Sequence, residues 1–314
     1  MKKGIIRLVL FSAFAGVIYI FLLFIIGNYA PRDFKRNLIY LKGGYGHTYS
    51  RLRDASFQED IDILILGSSL AYRGIDTRIF EAKGYKAFNL GTSAQTPLQT
   101  KLLLEYYLEE LTPQQVIYVV SPNDFTGNGL ESSLDIVANL PEIHLSVFKL
   151  LQDIPNIKLF NTILFSWLNN KIDRSDYAEP AIKGMDIYVG DGGFVQRGLS
   201  YYSDQKQIRS RSLPSKERQM NVLEGIIKKF RNEGIDLILV RPPITRNSYE
   251  SITSNTEFNK RISQLGSFKD YNLNLELVDS LHFYDSQHLN QIGVRKFTNA
   301  ILNDLEIQNL QINY

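Results

Sequence analysis

The longest unbroken apolar stretch of the chain runs from Leu8 to Ile26 and contains no charged residue. At helical rise it spans roughly 28 Å, close to the hydrocarbon thickness of a bilayer. It is apolar all round rather than along one face, which argues against a core helix of a globular domain. Lys2, Lys3 and Arg7 precede the run, while Arg32, Lys35 and Arg36 follow it. The leading positive charges predict a cytoplasmic N-terminus with the rest of the chain outside, although the basic residues beyond the run weaken the asymmetry. A cleaved secretory signal shares a Lys-rich start and an apolar stretch. The length of the run, and Pro31 after the small residue Ala30, favour an uncleaved single-pass anchor. Residues 1–30 are therefore expected to form a membrane anchor, with residues 5–27 meeting the lipid.

Residues 31–59 are polar, aromatic and punctuated by glycine, and read as a juxtamembrane connector. The "GGYG" at Gly43–Gly46 is not a phosphate loop, because no strand precedes it and no Walker lysine follows. From Asp60 the pattern changes to short aliphatic runs alternating with helical stripes. "ILIL", Ile63 to Leu66, suits a strand covered on both faces. A short helix is expected near Thr77–Ala82, and a strand ending at "FNLG", Phe88 to Gly91. Thr96-Pro97 reads as a helix start, with Leu98, Leu102, Leu108 and Leu111 near helical spacing. "VIYVV", Val116 to Val120, gives another strand. Met220, Leu223, Ile227 and Phe230 mark a helix ending at Gly234, and Ile235–Val240 returns to strand. This alternation predicts a doubly wound, flavodoxin-like parallel α/β sheet flanked by helices, over residues 60–305.

Between about residues 124 and 213 the alternation breaks. The segment holds an apolar helical part, Ile143 to Leu168, and a hairpin around "DIYVGDGGFVQ", Asp186 to Gln196, with glycine turn chemistry at its middle. So long a stretch between two sheet strands predicts an inserted cap subdomain rather than a loop.

Composition narrows the chemistry. The chain has 314 residues, 44% hydrophobic and 22% charged, which is ordinary for a globular protein. Its 35 basic and 33 acidic residues are dispersed along the chain, so no nucleic-acid partner is expected. The sequence contains no cysteine, which excludes thiol catalysis, disulfides and cysteine metal sites. Any imidazole chemistry must come from His47, His144, His282 or His288.

In open α/β sheets, ligands bind beyond the carboxyl ends of the strands. Ser68 and Ser69 stand at that position after the first strand, where an N-cap or a serine-rich turn is the bland alternative. "DSQH" places Asp285 three residues before His288, just ahead of a helix with Ile292, Phe297 and Ile301. On a tight turn this spacing lets the carboxylate hold Nδ1–H and leaves Nε2 free for a serine. "DSLH", Asp279 to His282, is a competing copy. The second copy is favoured because it enters a helix, while the first has the look of a strand end. Gly91 and Asn123 end the second and third strands; singly they read as a turn glycine and a turn cap, and together with the Ser69 N–H they would form an oxyanion hole. Arg73 and Arg241, each just past a strand, are weaker candidates for binding an anionic substrate, with solvated surface arginine as the alternative.

These blocks resemble the SGNH/GDSL hydrolase superfamily, whose four blocks contribute Ser, Gly, Asn and His from successive strand ends. The resemblance covers about Ile61 to Leu302. It implies Ser69 as nucleophile, Gly91 and Asn123 as oxyanion donors, Asp285 and His288 as acid and base, and no metal or cofactor. Three departures stand out. The first block reads Gly-Ser-Ser rather than Gly-Asp-Ser, which leaves Ser68 as a rival nucleophile. The second lacks a following glycine, and Pro122 precedes Asn123 where a Gly-x is common.

A Gly-Ser-Ser block behind a membrane anchor is similar to the branch that includes the D-alanyl-lipoteichoic-acid biosynthesis protein and the alginate O-acetyltransferases. That branch implies a substrate carrying O-acyl groups on a cell-envelope polysaccharide, and a membrane-bound O-acyltransferase as partner. The reading is a membrane-anchored serine esterase or O-acyltransferase. The alternative is a non-catalytic SGNH-fold glycan-binding or scaffolding protein.

Overall fold

The structure, a computed structural model, describes residues 2–172, 177–203 and 208–312. Its strands are β1 (Ile63–Leu66), β2 (Ala87–Asn89), β3 (Gln115–Val119), β4 (Ile182–Lys183), β5 (Asp186–Val189), β6 (Phe194–Arg197), β7 (Asp236–Arg241) and β8 (Ser267–Asp270). Its first helices are α1 (Lys2–Tyr29), α2 (Thr48–Ala55), α3 (Ser69–Tyr72), α4 (Thr77–Glu81), α5 (Pro97–Leu111), α6 (Leu130–Asn139), α7 (Leu150–Asp153) and α8 (Ile157–Ile172). The later ones are α9 (Glu217–Asn232), α10 (Arg246–Ser251), α11 (Asn255–Ser263), α12 (Tyr271–Asn274), α13 (Asp279–His282) and α14 (Gln291–Ile312). Two compact units emerge, Met1–Lys42 with Ser133–Ala178, and Gly43–Ser132 with Glu179–Tyr314.

The larger unit is an α/β fold around a five-stranded sheet in the order β2-β1-β3-β7-β8. Every pairing in it is parallel, with Ile65 opposite Asn89 on one side and Ile117 on the other. Parallel strands need helices on both faces, and all four side chains of β1 are accordingly buried. Ile65, Ile117, Ile238 and Val240 pack with Phe297, Ile301 and Leu305 of α14 in one core. The chain order reverses between β1 and β3, the crevice where ligands of open α/β sheets collect.

Local chemistry explains the element starts. Thr96 and Gln99 form a reciprocal capping box, and Pro97 occupies the first turn of α5. α9 ends ahead of Gly234 at φ 70°, a conformation that glycine adopts without a Cβ penalty. The "DIYV…FVQ" stretch forms an antiparallel ribbon, with Tyr188 opposite Val195 and β4 added on the far side of β5.

Three features differ from the sequence expectation. The connector contains α2, whose Arg51 and Leu52 are buried. "DSLH" is the short helix α13 rather than a strand end. The edge strand β8 carries the sequence SFKD, only partly buried, and so lacks the aliphatic run that marks the central strands.

In the smaller unit α1 is almost wholly exposed, with Leu23 its one buried residue. Leu23, Leu38 and Phe165 cluster with Phe24, Tyr40 and Leu164. Gly27 permits this approach, since a Cβ there would lie 2.1 Å from the Phe165 ring.

Candidate active site

The turn after β1 is set by Gly67. Its φ is 137°, and a Cβ there would meet the Val119 carbonyl oxygen at 2.7 Å. Only glycine fits such a crossing. Ser68 follows in an extended conformation as the N-cap, and Ser69 opens α3. The two hydroxyls then part company. Ser68 is buried and hydrogen-bonds the Asp124 carboxylate, whereas Ser69 is half-exposed.

Ser69 Oγ lies 2.8 Å from His288 Nε2. His288 Nδ1 lies 3.0 Å from Asp285 Oδ2 and 3.1 Å from Oδ1. Asp285 Oδ1 also accepts the backbone N–H groups of Gln287 and His288, each at 2.8 Å. A carboxylate at Nδ1 selects the tautomer with the proton there, so the Nε2 lone pair faces the serine hydroxyl. Burial raises the Asp285 pKa, but the His288 hydrogen bond and charge, with the two N–H donors, outweigh it and hold the group below its ordinary value.

The turn carrying the pair is closed at its base. Phe283 and Leu289 form an antiparallel bridge, and the Tyr284 N–H donates to the His288 carbonyl at 3.1 Å. The Tyr284 ring lies 5.5 Å from the His288 imidazole and within 5° of parallel. Arg197 of β6 sits 4.6 Å above Tyr284. The competing copy is kept apart from this arrangement: His282 is buried, and its Nδ1 accepts the Val278 N–H at 2.8 Å. Asp279 instead accepts the Arg246 N–H at 3.0 Å.

The three oxyanion candidates occupy different states. The Ser69 N–H stands at the first helical position, where no intrahelical acceptor exists. The Gly91 N–H is given to Asn89 Oδ1 at 3.1 Å. Gly91 nevertheless presses against the turn that carries Ser69, and a Cβ there would meet the Gly67 and Ser68 carbonyls at 3.0 and 3.1 Å. Asn123 Nδ2 reaches Gln287 Oε1 at 3.4 Å, a weak contact that ties the end of β3 to the turn of Asp285 and His288.

Neither arginine is a free surface cation. Arg73 makes a bidentate pair with Asp186 at 2.8 and 2.7 Å, and Arg197 joins the same carboxylate at 3.2 Å. Burial lowers the Arg73 pKa, but the Asp186 hydrogen bonds and the nearby tyrosines outweigh it and raise the group overall. Arg241 is 2% exposed, with Asn255, Asn259 and Asp270 around its guanidinium. It is a structural cation of the sheet edge, so the expectation that it binds substrate is corrected by its burial.

Three contributors escaped the sequence reading. Asn89 Nδ2 donates to the Ala71 carbonyl at 2.9 Å, so one side chain links α3 to Gly91. Its signal was a lone amide in an otherwise apolar strand. Asp124 accepts the Ser121 N–H at 3.1 Å as well as Ser68. Burial pushes its carboxyl up to about 7 against those two hydrogen bonds. Tyr284, beside the acid–base pair, carried no signal in the sequence.

A small pocket of about 10 Å³ beside His288 is lined by Leu70, Arg73, Pro242, Pro243, Gln287 and Leu289, among others. A cleft of about 1070 Å³ lies between α5 and α9 and includes no residue of the serine–histidine arrangement. Among the described residues no group of three or more His, Asp or Glu side chains could hold a metal ion.

No protein-family model matches the chain. No curated protein matches it either. Among solved structures it is similar to a proposed acylhydrolase from Bacteroides fragilis NCTC 9343, at 12% identity and a TM-score of 0.42, covering 82% of this chain and 94% of that one. A proposed platelet activating factor from Streptococcus pneumonia gives 13% identity and a TM-score of 0.43, covering 83% and 90%. A GDSL-like lipase from Bacteroides thetaiotaomicron VPI-5482 gives 10% identity and a TM-score of 0.41, covering 82% and 95%.

Proposed function

We propose that the chain is a membrane-anchored serine acyl-ester enzyme of the SGNH/GDSL type. The observation that carries this reading is the line from Ser69 Oγ through His288 to the Asp285 carboxylate, at 2.8 and 3.0 Å, beyond the carboxyl ends of parallel strands. His288 Nε2 takes the Ser69 proton as Oγ attacks the ester carbonyl carbon. The resulting imidazolium is stabilised by Asp285, and the oxyanion by the Ser69 N–H with Gly91 and Asn123. Collapse breaks the ester C–O bond, and His288 returns the proton to the departing alkoxide. Water or a sugar hydroxyl then attacks the acyl-serine by the same route in reverse.

For Gly91 to serve as a donor, its N–H must leave Asn89 Oδ1 when the oxyanion forms. Apo sites commonly tighten in this way on binding. The resemblance to envelope O-acylation proteins supports an O-acylated polysaccharide as substrate and a membrane-bound O-acyltransferase as neighbour. The uncharged run in α1, with Lys2, Lys3 and Arg7 before it, supports a single-pass anchor in the cytoplasmic membrane with the catalytic unit outside.

The test is a fluorophosphonate probe on the full-length protein, followed by mass analysis of the labelled peptide. An adduct on Ser69 that disappears in His288→Ala is expected. A folded protein that takes no label would favour the non-catalytic glycan-binding alternative.

A further inference from the structure

The face of α8 turned into the protein is mixed, with Leu159, Ile163 and Phe165 buried beside polar side chains. Asn161, Thr162, Ser166 and Asn169 are buried. Asn161 Nδ2 donates to the Asn37 carbonyl at 2.9 Å, Thr162 Oγ1 to the Ile39 carbonyl at 3.0 Å, and Asn169 Nδ2 to Tyr40 Oη at 3.3 Å. Ile157, Phe160 and Ile172 are exposed and Trp167 and Leu168 half-buried, and they follow one another at helical spacing. Ile157 is 54% exposed and Ile172 is 60% exposed. No charged residue occurs from Leu159 to Asn170. An exposed apolar stripe is costly in water and suits contact with lipid.

α8 is also continuous with the anchor. Tyr19 Oη donates to Asn161 Oδ1 at 2.5 Å, and Phe24 and Gly27 lie against Phe165. Tyr19 precedes Ile26, the end of the uncharged run, by seven residues, which is about 10 Å along the helix. A helix bonded to Tyr19 therefore lies within the ~5–10 Å depth that interfacial helices reach. Lys171 sits 4.4 Å over the Trp167 ring at the end of the stripe, and a basic side chain beside an aromatic is the usual pairing at a headgroup boundary.

We infer that α8 is a second membrane-contacting element, an interfacial helix whose Ile157–Phe160–Trp167 stripe is embedded in the leaflet at the C-terminal end of α1. The inference rests on the reading of α1 as a membrane anchor. The occupant of the stripe is lipid acyl chain and headgroup boundary. Two contacts with the bilayer fix the tilt of the unit, where a single helix would leave it free to swivel.

Trp167 is the one tryptophan in the sequence, so its emission reports this face without background. Full-length protein is reconstituted into phosphatidylcholine vesicles, with or without bromine on the acyl chains, and floated to confirm attachment. Bromine should quench Trp167 emission by about half or more, as depth within the interface requires, while aqueous iodide should have little effect. Protein that floats but is quenched by iodide alone overturns the inference and leaves the anchor standing. Protection from both quenchers also overturns it, by showing a protein partner or second copy on the stripe. Failure to float removes the anchor reading, and the inference with it. Phe160→Ser should lower bromine quenching without releasing the protein from vesicles, and unchanged quenching in that variant would count against the embedded stripe.

Discussion

Ser69 and His288 are 219 positions apart in the chain, yet Oγ and Nε2 meet at 2.8 Å. Ser68, one residue earlier, turns its hydroxyl into the protein toward Asp124. A single step along the backbone thus separates a hydroxyl held by a carboxylate from one facing an imidazole.

The first prediction follows from that step. Ser69→Ala should lower turnover of an activated acyl ester by about 10,000-fold or more, the scale on which serine nucleophiles are missed elsewhere. Ser68→Ala should keep covalent labelling at Ser69 and lose thermal stability. The check is kcat with a chromogenic ester, alongside a melting curve for each variant.

The two histidines should behave in opposite ways. His288→Ala should abolish acyl-enzyme formation with little loss of stability, because its ring is partly exposed. His282→Ala leaves the Val278 N–H without its acceptor and should cost about 1–3 kcal/mol in stability. Fluorophosphonate labelling of a folded His282→Ala protein should persist, and its loss would put the base on the wrong turn.

Two carboxyl groups near the site should pull stability in opposite directions with pH. Asp285 is depressed in the folded state, so its contribution is present above the ordinary carboxyl pKa of about 4 and is lost as pH falls through the lower folded value. Asp124 is raised to about 7, so its contribution is present at pH below about 4 and lost as pH rises through about 7. Asp124→Asn should therefore flatten the decline in stability between those limits. Denaturant midpoints across that range would reveal it, and an unchanged slope would remove Asp124 as the cause.

Gly91→Ala should damage the site even if the Gly91 N–H proves catalytically idle. The added methyl meets two backbone carbonyls of the nucleophile turn and Asn89 Oδ1, none farther than 3.1 Å. Overpacking of this kind costs about 1–3 kcal/mol. A loss of kcat larger than the loss of stability explains would point to a direct role in oxyanion stabilisation.

What the sequence made legible follows from how information is stored in it. β1 and β3 declare themselves because a strand buried on both faces is a near-continuous apolar run. Asp285 and His288 declare themselves because their geometry is local, three residues on one turn. The fates of Arg73 and Arg241 were not local. Asp186 lies 113 positions from Arg73 and belongs to the ribbon, so pattern reading near Arg73 had no access to its partner. Arg241 ends a strand as a binding residue would, and only the placement of α11 and β8 around it decides that it is interior. The edge strand β8 was missed for a related reason, since a half-covered strand has no need of an aliphatic run.

The closed turn from Phe283 to Leu289 gives the site a particular way of failing. Asp285 and His288 are aligned by hydrogen bonds that never leave that turn, so their alignment survives any displacement of the turn as a body. The Ser69 gap has no such local protection, because it spans two segments 219 positions apart whose spacing is set by the packing around them. Mild loosening of the C-terminal edge would therefore part Ser69 from His288 while leaving the Asp285–His288 pair intact. The protein would lose its chemistry before its shape, with the aspartate and histidine still in register and no serine within reach.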